Sequence, residues 1–167
     1  MPHSMKHFFP FFLFLCSLVL TSCIEGGSDT TPVINVGYFI TSSGDTLGVH
    51  YDSDGSFYYF DSVNVGDTIQ TRVLYQSFTN FLVWTDVKWD TTQLSVKSRF
   101  EPSYINATSV ADTTALYFEY KSGYNAAGMP LQIVPLVHRD CKLSFSMESD
   151  AKRVENTRTE TFYFYVR

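Results

Sequence analysis

The sequence predicts an all-β fold: an antiparallel β-sandwich of about nine short strands, its two sheets packed face to face. Two observations carry that prediction. From Val33 onward, short apolar runs alternate with clusters of Gly, Asp, Asn and Ser, and no stretch sustains a helical period. Near the C-terminus, Leu143, Phe145 and Met147 alternate with Ser144, Ser146 and Glu148, and Phe162, Phe164 and Val166 alternate with Tyr163 and Tyr165. Such period-two alternation is the mark of half-buried strands. A closed β-barrel is the alternative reading of the same pattern.

The strands follow in order. Val33–Ile40 opens the domain, and the turn residues Ser43-Gly44-Asp45 lead into Thr46–Tyr51. Asp54-Gly55 signals a hairpin into the aromatic run Phe57–Asp61. Gly66-Asp67 precedes Thr68–Gln76, which carries the alternating Thr71, Val73 and Tyr75. Phe81–Trp89, Leu94–Arg99 and Ala115–Tyr120 come next, followed by a turn from Gly123 to Pro130 and a strand over Leu131–Val137. The last two strands flank a turn over Asp150–Asn156. Alternation places Leu143, Phe145 and Phe164 inside and Ser144, Ser146 and Tyr163 outside; a one-residue slip would reverse all of these. Cys141 is in phase with Leu143 and Phe145, so it is expected on the core face as a small hydrophobe. Within Leu82–Lys88, Trp84 shares a face with Asp86 and Lys88, while Val83, Val87 and Trp89 share the other.

Ahead of the strands lies a different kind of segment. Lys6 and His7 precede an apolar run from Phe8 to Leu20, and a helix of that length would span only about 20 Å, short of a bilayer core. It therefore reads as an export signal, not a membrane span. Leu20-Thr21-Ser22-Cys23 resembles the lipobox of bacterial lipoproteins. The resemblance implies cleavage after Ser22 and acylation of Cys23, whose thiolate takes the lipid. Residues 1–22 are then the signal peptide, 23–32 a polar lipidated tether, and 33–167 a single domain. With Ile24 rather than Asp after Cys23, the resemblance favours anchorage in the outer membrane, facing the periplasm or the surface. Two or more acyl chains anchor stably where one does not.

Composition narrows the function classes. The chain carries 12 basic and 17 acidic residues, and without the signal its net charge is −6. That balance, with no Lys/Arg cluster in the sequence, argues against nucleic acid as a partner. With Cys16 removed and Cys23 lipidated, Cys141 is a lone thiol, so neither an intramolecular disulfide nor a cysteine zinc site is expected. No cofactor is implied. His138-Arg139-Asp140 lacks the surroundings of a kinase catalytic loop, and His50 and His138 have no Gly-x-Ser-x-Gly elbow to serve. Asp52-Ser53-Asp54-Gly55 with Asp61 resembles part of a calcium loop, but His50 falls on the first ligand position; a hairpin explains these residues without a metal.

Val65-Gly66-Asp67-Thr68-Ile69, followed by alternating Thr71, Val73 and Tyr75, resembles the second strand of immunoglobulin-like modules on bacterial surfaces. Asp150-Ala151, Asn156 and the closing Thr159–Arg167 are similar to the final hairpin of those modules. The resemblance implies an immunoglobulin-like sandwich, with a lipocalin-like closed barrel as the alternative. Six aspartates are followed by Ser or Thr and then an aliphatic residue or Thr, which resembles the O-glycosylation sequon of Bacteroidota. The candidate acceptors are Thr30, Thr46, Ser62, Thr68, Thr91 and Thr113, with Thr30, Thr91 and Thr113 expected in exposed loops. The same pattern also describes a turn entering a strand.

Trp84 beside carboxylates suggests a surface that grips a sugar by stacking and polar contacts, with Tyr58, Tyr163 and Tyr165 extending it. The function expected is a non-enzymatic, membrane-anchored interaction or binding module whose partner is a glycan or another envelope protein. A glycan-binding accessory lipoprotein of a polysaccharide uptake system is the second reading, and a small hydrolase the third.

Overall fold

The computed structural model describes residues 29–51, 58–100, 103–106, 109–112 and 115–167. Among them are twelve strands and no helix. The strands are β1 (Val33–Val36), β2 (Ile40–Thr41), β3 (Val49–Tyr51), β4 (Tyr58–Val63), β5 (Ile69–Gln76) and β6 (Leu82–Trp89). They continue as β7 (Leu94–Ser98), β8 (Val110–Ala111), β9 (Leu116–Glu119), β10 (Ala126–Pro135), β11 (Cys141–Ser149) and β12 (Thr157–Val166).

One sheet has the order β1-β5-β10-β7, with β2 also pairing β5; the other runs β3-β4-β12-β11-β6-β9-β8. In sheet order, β1-β5-β10-β7 occupy the A-B-E-D positions of an immunoglobulin sheet, and β12-β11-β6 occupy G-F-C. This is an immunoglobulin-like sandwich with two additions, the antiparallel β3–β4 pair beyond β12 and strands β9 and β8 beyond β6. Neither sheet closes on itself or on the other, so the barrel alternative falls. One pair departs from the antiparallel expectation: β4 lies parallel to β12, with Tyr58 beside Phe162 and Phe60 beside Phe164. The β3–β4 pair thus extends this sheet past the edge of the last strand.

The predicted register holds where alternation was clearest. Leu143, Phe145, Met147 and Phe164 are fully buried between the sheets, and Ser144, Ser146 and Tyr163 lie on the outer face. Cys141 is buried too; its thiol donates to the Arg139 carbonyl at 3.3 Å, and burial pushes its pKa up. Phe39, Phe60, Phe162 and Phe164 form an aromatic cluster where β1 and β2 face β4 and β12, with Phe39 and Phe60 ring centroids 4.2 Å apart.

Three predicted elements are corrected. The strand over Val33–Ile40 is broken into β1 and β2 at Gly37. Gly37 N–H donates to the Arg72 carbonyl at 2.9 Å, and a Cβ at this residue would stand 3.0 Å from that oxygen. Only glycine admits so close an approach comfortably, and beyond it Phe39 turns into the core. The turn expected from Gly123 to Pro130 ends early, because β10 begins at Ala126 and pairs residue by residue with β5. Pro130 is tolerated there: its carbonyl accepts from Ser98 Oγ at 2.8 Å, beside the end of β7, where a missing N–H costs little. In β6, Leu82 and not Val83 faces the core. Glu148 lies opposite Trp84 while Ser149 lies opposite Leu82, so Val83 is the extra residue of a bulge and is exposed.

Candidate functional site

The four aromatic residues proposed as one sugar platform do not come together. Trp84 does lie on the outer face of β6 with Asp86 and Lys88, as alternation requires, and those two form an ion pair at 3.1 Å. Its ring is half-buried: the indole N–H donates to Glu148 Oε2, and Tyr117 lies alongside with ring centroids 6.2 Å apart. Tyr163 and Tyr165 share that outer face but sit far along it. Trp84 is opposite Glu148 and Tyr163 opposite Lys142, six residues apart on β11, which is about 20 Å of strand. Tyr58 points the other way. Its half-buried ring stacks on Phe162 at 4.6 Å on the inner face of the sheet, and its hydroxyl accepts from the exposed Tyr51. Desolvation, with that hydrogen bond second, pushes the Tyr58 phenol far up. Tyr165 instead packs beside Tyr59, which stacks on His50, a small aromatic patch at the β3-β4-β12 end of the sheet.

The opposite sheet presents a different surface, which alternation within single strands does not reveal. Its outward positions are Gln70, Arg72, Leu74 and Gln76 on β5, Ala126 to Val134 at every second residue on β10, and Ser95 and Lys97 on β7, with Arg99 just beyond. Pairing aligns them across strands. Gln132 lies opposite both Gln70 and Lys97, forming one row. Pro130 lies opposite Arg72, and Arg99 follows the β7 residue opposite Leu131, forming the next. Gln70, Gln132, Lys97, Arg99 and Pro130 line a groove of about 540 Å³, completed by Thr71, Ser98 and Leu131.

Arg72 is placed by the absence of a side chain. Its guanidinium lies over Gly128, where an added Cβ would stand 2.8 Å from Nη2. Its charge also acts on the Tyr104 phenol, whose pKa desolvation raises and Arg72 lowers. Tyr104 in turn stacks on Tyr124 at 4.4 Å, and Tyr124 is 40% exposed. The surface therefore combines three cations, two amides and an exposed aromatic ring. No Asp or Glu stands at any outward position of β1, β5, β10 or β7, in a chain whose acidic residues outnumber its basic ones.

The candidate O-glycosylation positions are distributed as follows. Thr91 and Thr46 are exposed, Thr68 is half-buried and Ser62 lies in β4; Cys23 and Thr113 lie outside the described residues, as does the Asp52–Gly55 segment. Thr30, expected in a free loop, is half-buried, and its hydroxyl donates to the Ser77 carbonyl at 3.1 Å. The aspartates of these motifs have local work. Asp90 accepts from the backbone and hydroxyl of Thr92, Asp112 from the Ala115 N–H, and Asp67 from the Asn64 N–H. Turn closure by aspartate ahead of a strand thus accounts for much of the motif's recurrence.

Asp29 fastens the N-terminal segment to the domain earlier than the tether boundary at residue 32 implies. Its carboxylate accepts from Lys152 N–H at 2.9 Å and Arg153 N–H at 2.7 Å, and these bonds lower its pKa. A carboxyl whose pKa is depressed on folding contributes stability above its unfolded value, about 3.9, and loses it as pH falls through the lower folded value. In a carbon-detected NMR titration the Asp29 midpoint is expected below that ordinary value, with the Lys152 and Arg153 amides losing protection at more acid pH. A midpoint at the ordinary value would show that the segment is not held there.

No protein-family model and no curated protein matches the chain. Among solved structures, a protein designated BspA_C_mut aligns with a TM-score of 0.48 and 12% identity over 81% of this chain and 47% of its own. A DUF4466 family protein from Parabacteroides merdae aligns with a TM-score of 0.42 and 13% identity over 81% of this chain and 44% of its own. AggA, the major subunit of aggregative adherence fimbriae type I from Escherichia coli, aligns with a TM-score of 0.37 and 12% identity, covering 83% of this chain and 99% of that one. The chain spans less than half the length of the first two. The sandwich rests on the strand pairing itself, and these likenesses carry no functional argument.

Proposed function

We propose that the chain is a non-enzymatic binding module: an immunoglobulin-like sandwich anchored to the outer membrane by lipid on Cys23 and held on a short tether. The observation that carries this reading is the groove on the exposed face of the β1-β5-β10-β7 sheet, where cross-strand pairing assembles amide and cationic side chains from three strands. The lipobox-like Leu20-Thr21-Ser22-Cys23 supports the anchor. Asp29, bonded to the Lys152 and Arg153 N–H groups beside the β11–β12 turn, supports a tether that leaves the domain from one end of the strands.

A glycan as the partner is the second reading, and the Gln70 and Gln132 amides favour it, since amides match hydroxyl groups in both donor and acceptor character. The anchor is tested directly. Cys23→Ser is expected to abolish labelling by a fatty-acid analogue in the expressing cell and to leave unprocessed precursor on a gel. A variant still labelled and cleaved at the same bond would refute the lipid site.

A further inference from the structure

We propose that the open face of the β1-β5-β10-β7 sheet binds an acidic polysaccharide, a chain carrying carboxylate or sulfate groups among hydroxyls, through Arg72, Lys97 and Arg99 assisted by Gln70 and Gln132. The inference rests on the binding-module reading and specifies its ligand class and location.

Charge is the first argument. Arg72, Lys97 and Arg99 gather on one face without a carboxylate among the outward positions of that sheet. None of the three has an ion-pair partner among the described residues. In an acidic chain this concentration of cations marks a face complementary to an anion. Two of the three are arginines, whose planar forks match carboxylate and sulfate oxygens in pairs.

Shape and spacing give the second argument. The groove of about 540 Å³ crosses three strands; side chains within a row stand about 4.8 Å apart from strand to strand, and the two rows lie about 6.8 Å apart along the strands, spacings on the scale of a sugar unit. Gln70, Gln132 and Lys97 form one row, so Lys97 stands beside an amide able to hold hydroxyls, with Arg72 and Arg99 in the next row. Tyr124, stacked on Tyr104 near the Arg72 guanidinium, offers a ring face for an adjacent sugar. Gly128 keeps the surface flat and lets the Arg72 guanidinium lie along it.

An anionic membrane surface is the competing occupant, and position disfavours it. Asp29 fastens the chain at the pole holding residues 77–81 and 150–153. Arg72 and Gln70 lie four and six residues back from the Gln76 end of β5, about 13–20 Å from that pole and on the flank of the sandwich. A tethered domain would present its pole, not this flank, to the bilayer.

The test uses the mature chain, lipidated on Cys23, in phosphatidylcholine nanodiscs, with binding to immobilised polygalacturonate and dextran sulfate read by biolayer interferometry. Binding to at least one is expected, weakening as salt rises, with neutral dextran bound at least tenfold less. Arg72→Ala combined with Arg99→Ala is expected to lower affinity at least tenfold. Gly128→Ala, which leaves the charge unchanged but displaces the Arg72 guanidinium, is expected to lower it about threefold. Thermal melts check that each variant is folded, and Lys97→Glu provides an independent surface variant should the double variant melt early. Failure to bind either polyanion overturns the proposal, as does preferential capture by phosphatidylglycerol vesicles. Binding unaffected by all of these variants also overturns it, yet leaves the binding-module reading standing with its site elsewhere.

Discussion

Phe145→Ala is expected to destabilise the domain by about 3–5 kcal/mol, the usual cost of truncating a buried aromatic side chain. Phe145 is fully buried in the middle of β11, between β12 and β6, and meets the edge of Phe162 with ring centroids 5.6 Å apart. Its removal leaves a cavity that two paired strands cannot close without losing their register. Against a total stability of about 5–15 kcal/mol, a loss of this size would unfold much of the population on mild warming. The control is its sequence neighbour. Ser146 lies on the outer face, its hydroxyl shared with Thr159 at 3.0 Å, so Ser146→Ala should cost within about 0.5 kcal/mol. Urea melts of residues 29–167 measure both, with midpoints separating and slopes alike. Equal costs would overturn the register of β11.

Phe39→Ala is expected to cost a similar amount, about 3–5 kcal/mol, for a reason that the local pattern alone does not disclose. Phe39 belongs to neither β1 nor β2. It is fully buried between the sheets, with ring centroids 4.2 Å from Phe60 and 5.6 Å from both Phe162 and Phe164. Tyr38, its neighbour, is 78% exposed, and Tyr38→Ala should change stability by less than about 0.5 kcal/mol. A double-mutant cycle between Phe39 and Phe60 should show coupling of about 0.5–1.5 kcal/mol from ring contact. Comparable costs at Tyr38 and Phe39, or no coupling to Phe60, would show that the break at Gly37 does not deliver Phe39 to the core.

These cases mark how much of the fold is legible in the sequence. Where a strand is half-buried and regular, as in β5, β11 and β12, the alternation of apolar and polar side chains states both the strand and its facing. Where pairing is irregular it does not. The bulge that exposes Val83 depends on an extra residue between two contacts with β11, more than 60 positions away in the chain. The strand start at Ala126 was hidden by Gly128 and Pro130, residues that signal a turn locally but are accommodated here by their neighbours. The split at Gly37 reads as nothing in a run of β-branched and aromatic residues until Arg72 is brought against it.

The candidate sites divide along the same line. Trp84 could be assigned to an outer face from the residues around it, and that is where it lies, but its distance from Tyr163 and the inward turn of Tyr58 depend on which strands are neighbours. The cationic groove draws on β5, β10 and β7, and the dispersed Arg72, Lys97 and Arg99 become a patch only through their pairing. By itself the sequence determined the all-β class, the inward and outward faces of the regular strands and the burial of Cys141, because each follows from side-chain period and polarity along a few consecutive residues. Only the tertiary structure decided the immunoglobulin-like strand order, the parallel docking of β4, the seat of Phe39 and the gathering of three cations on one sheet, because each is a relation between segments far apart in the chain, set by competition among many packings of the whole core.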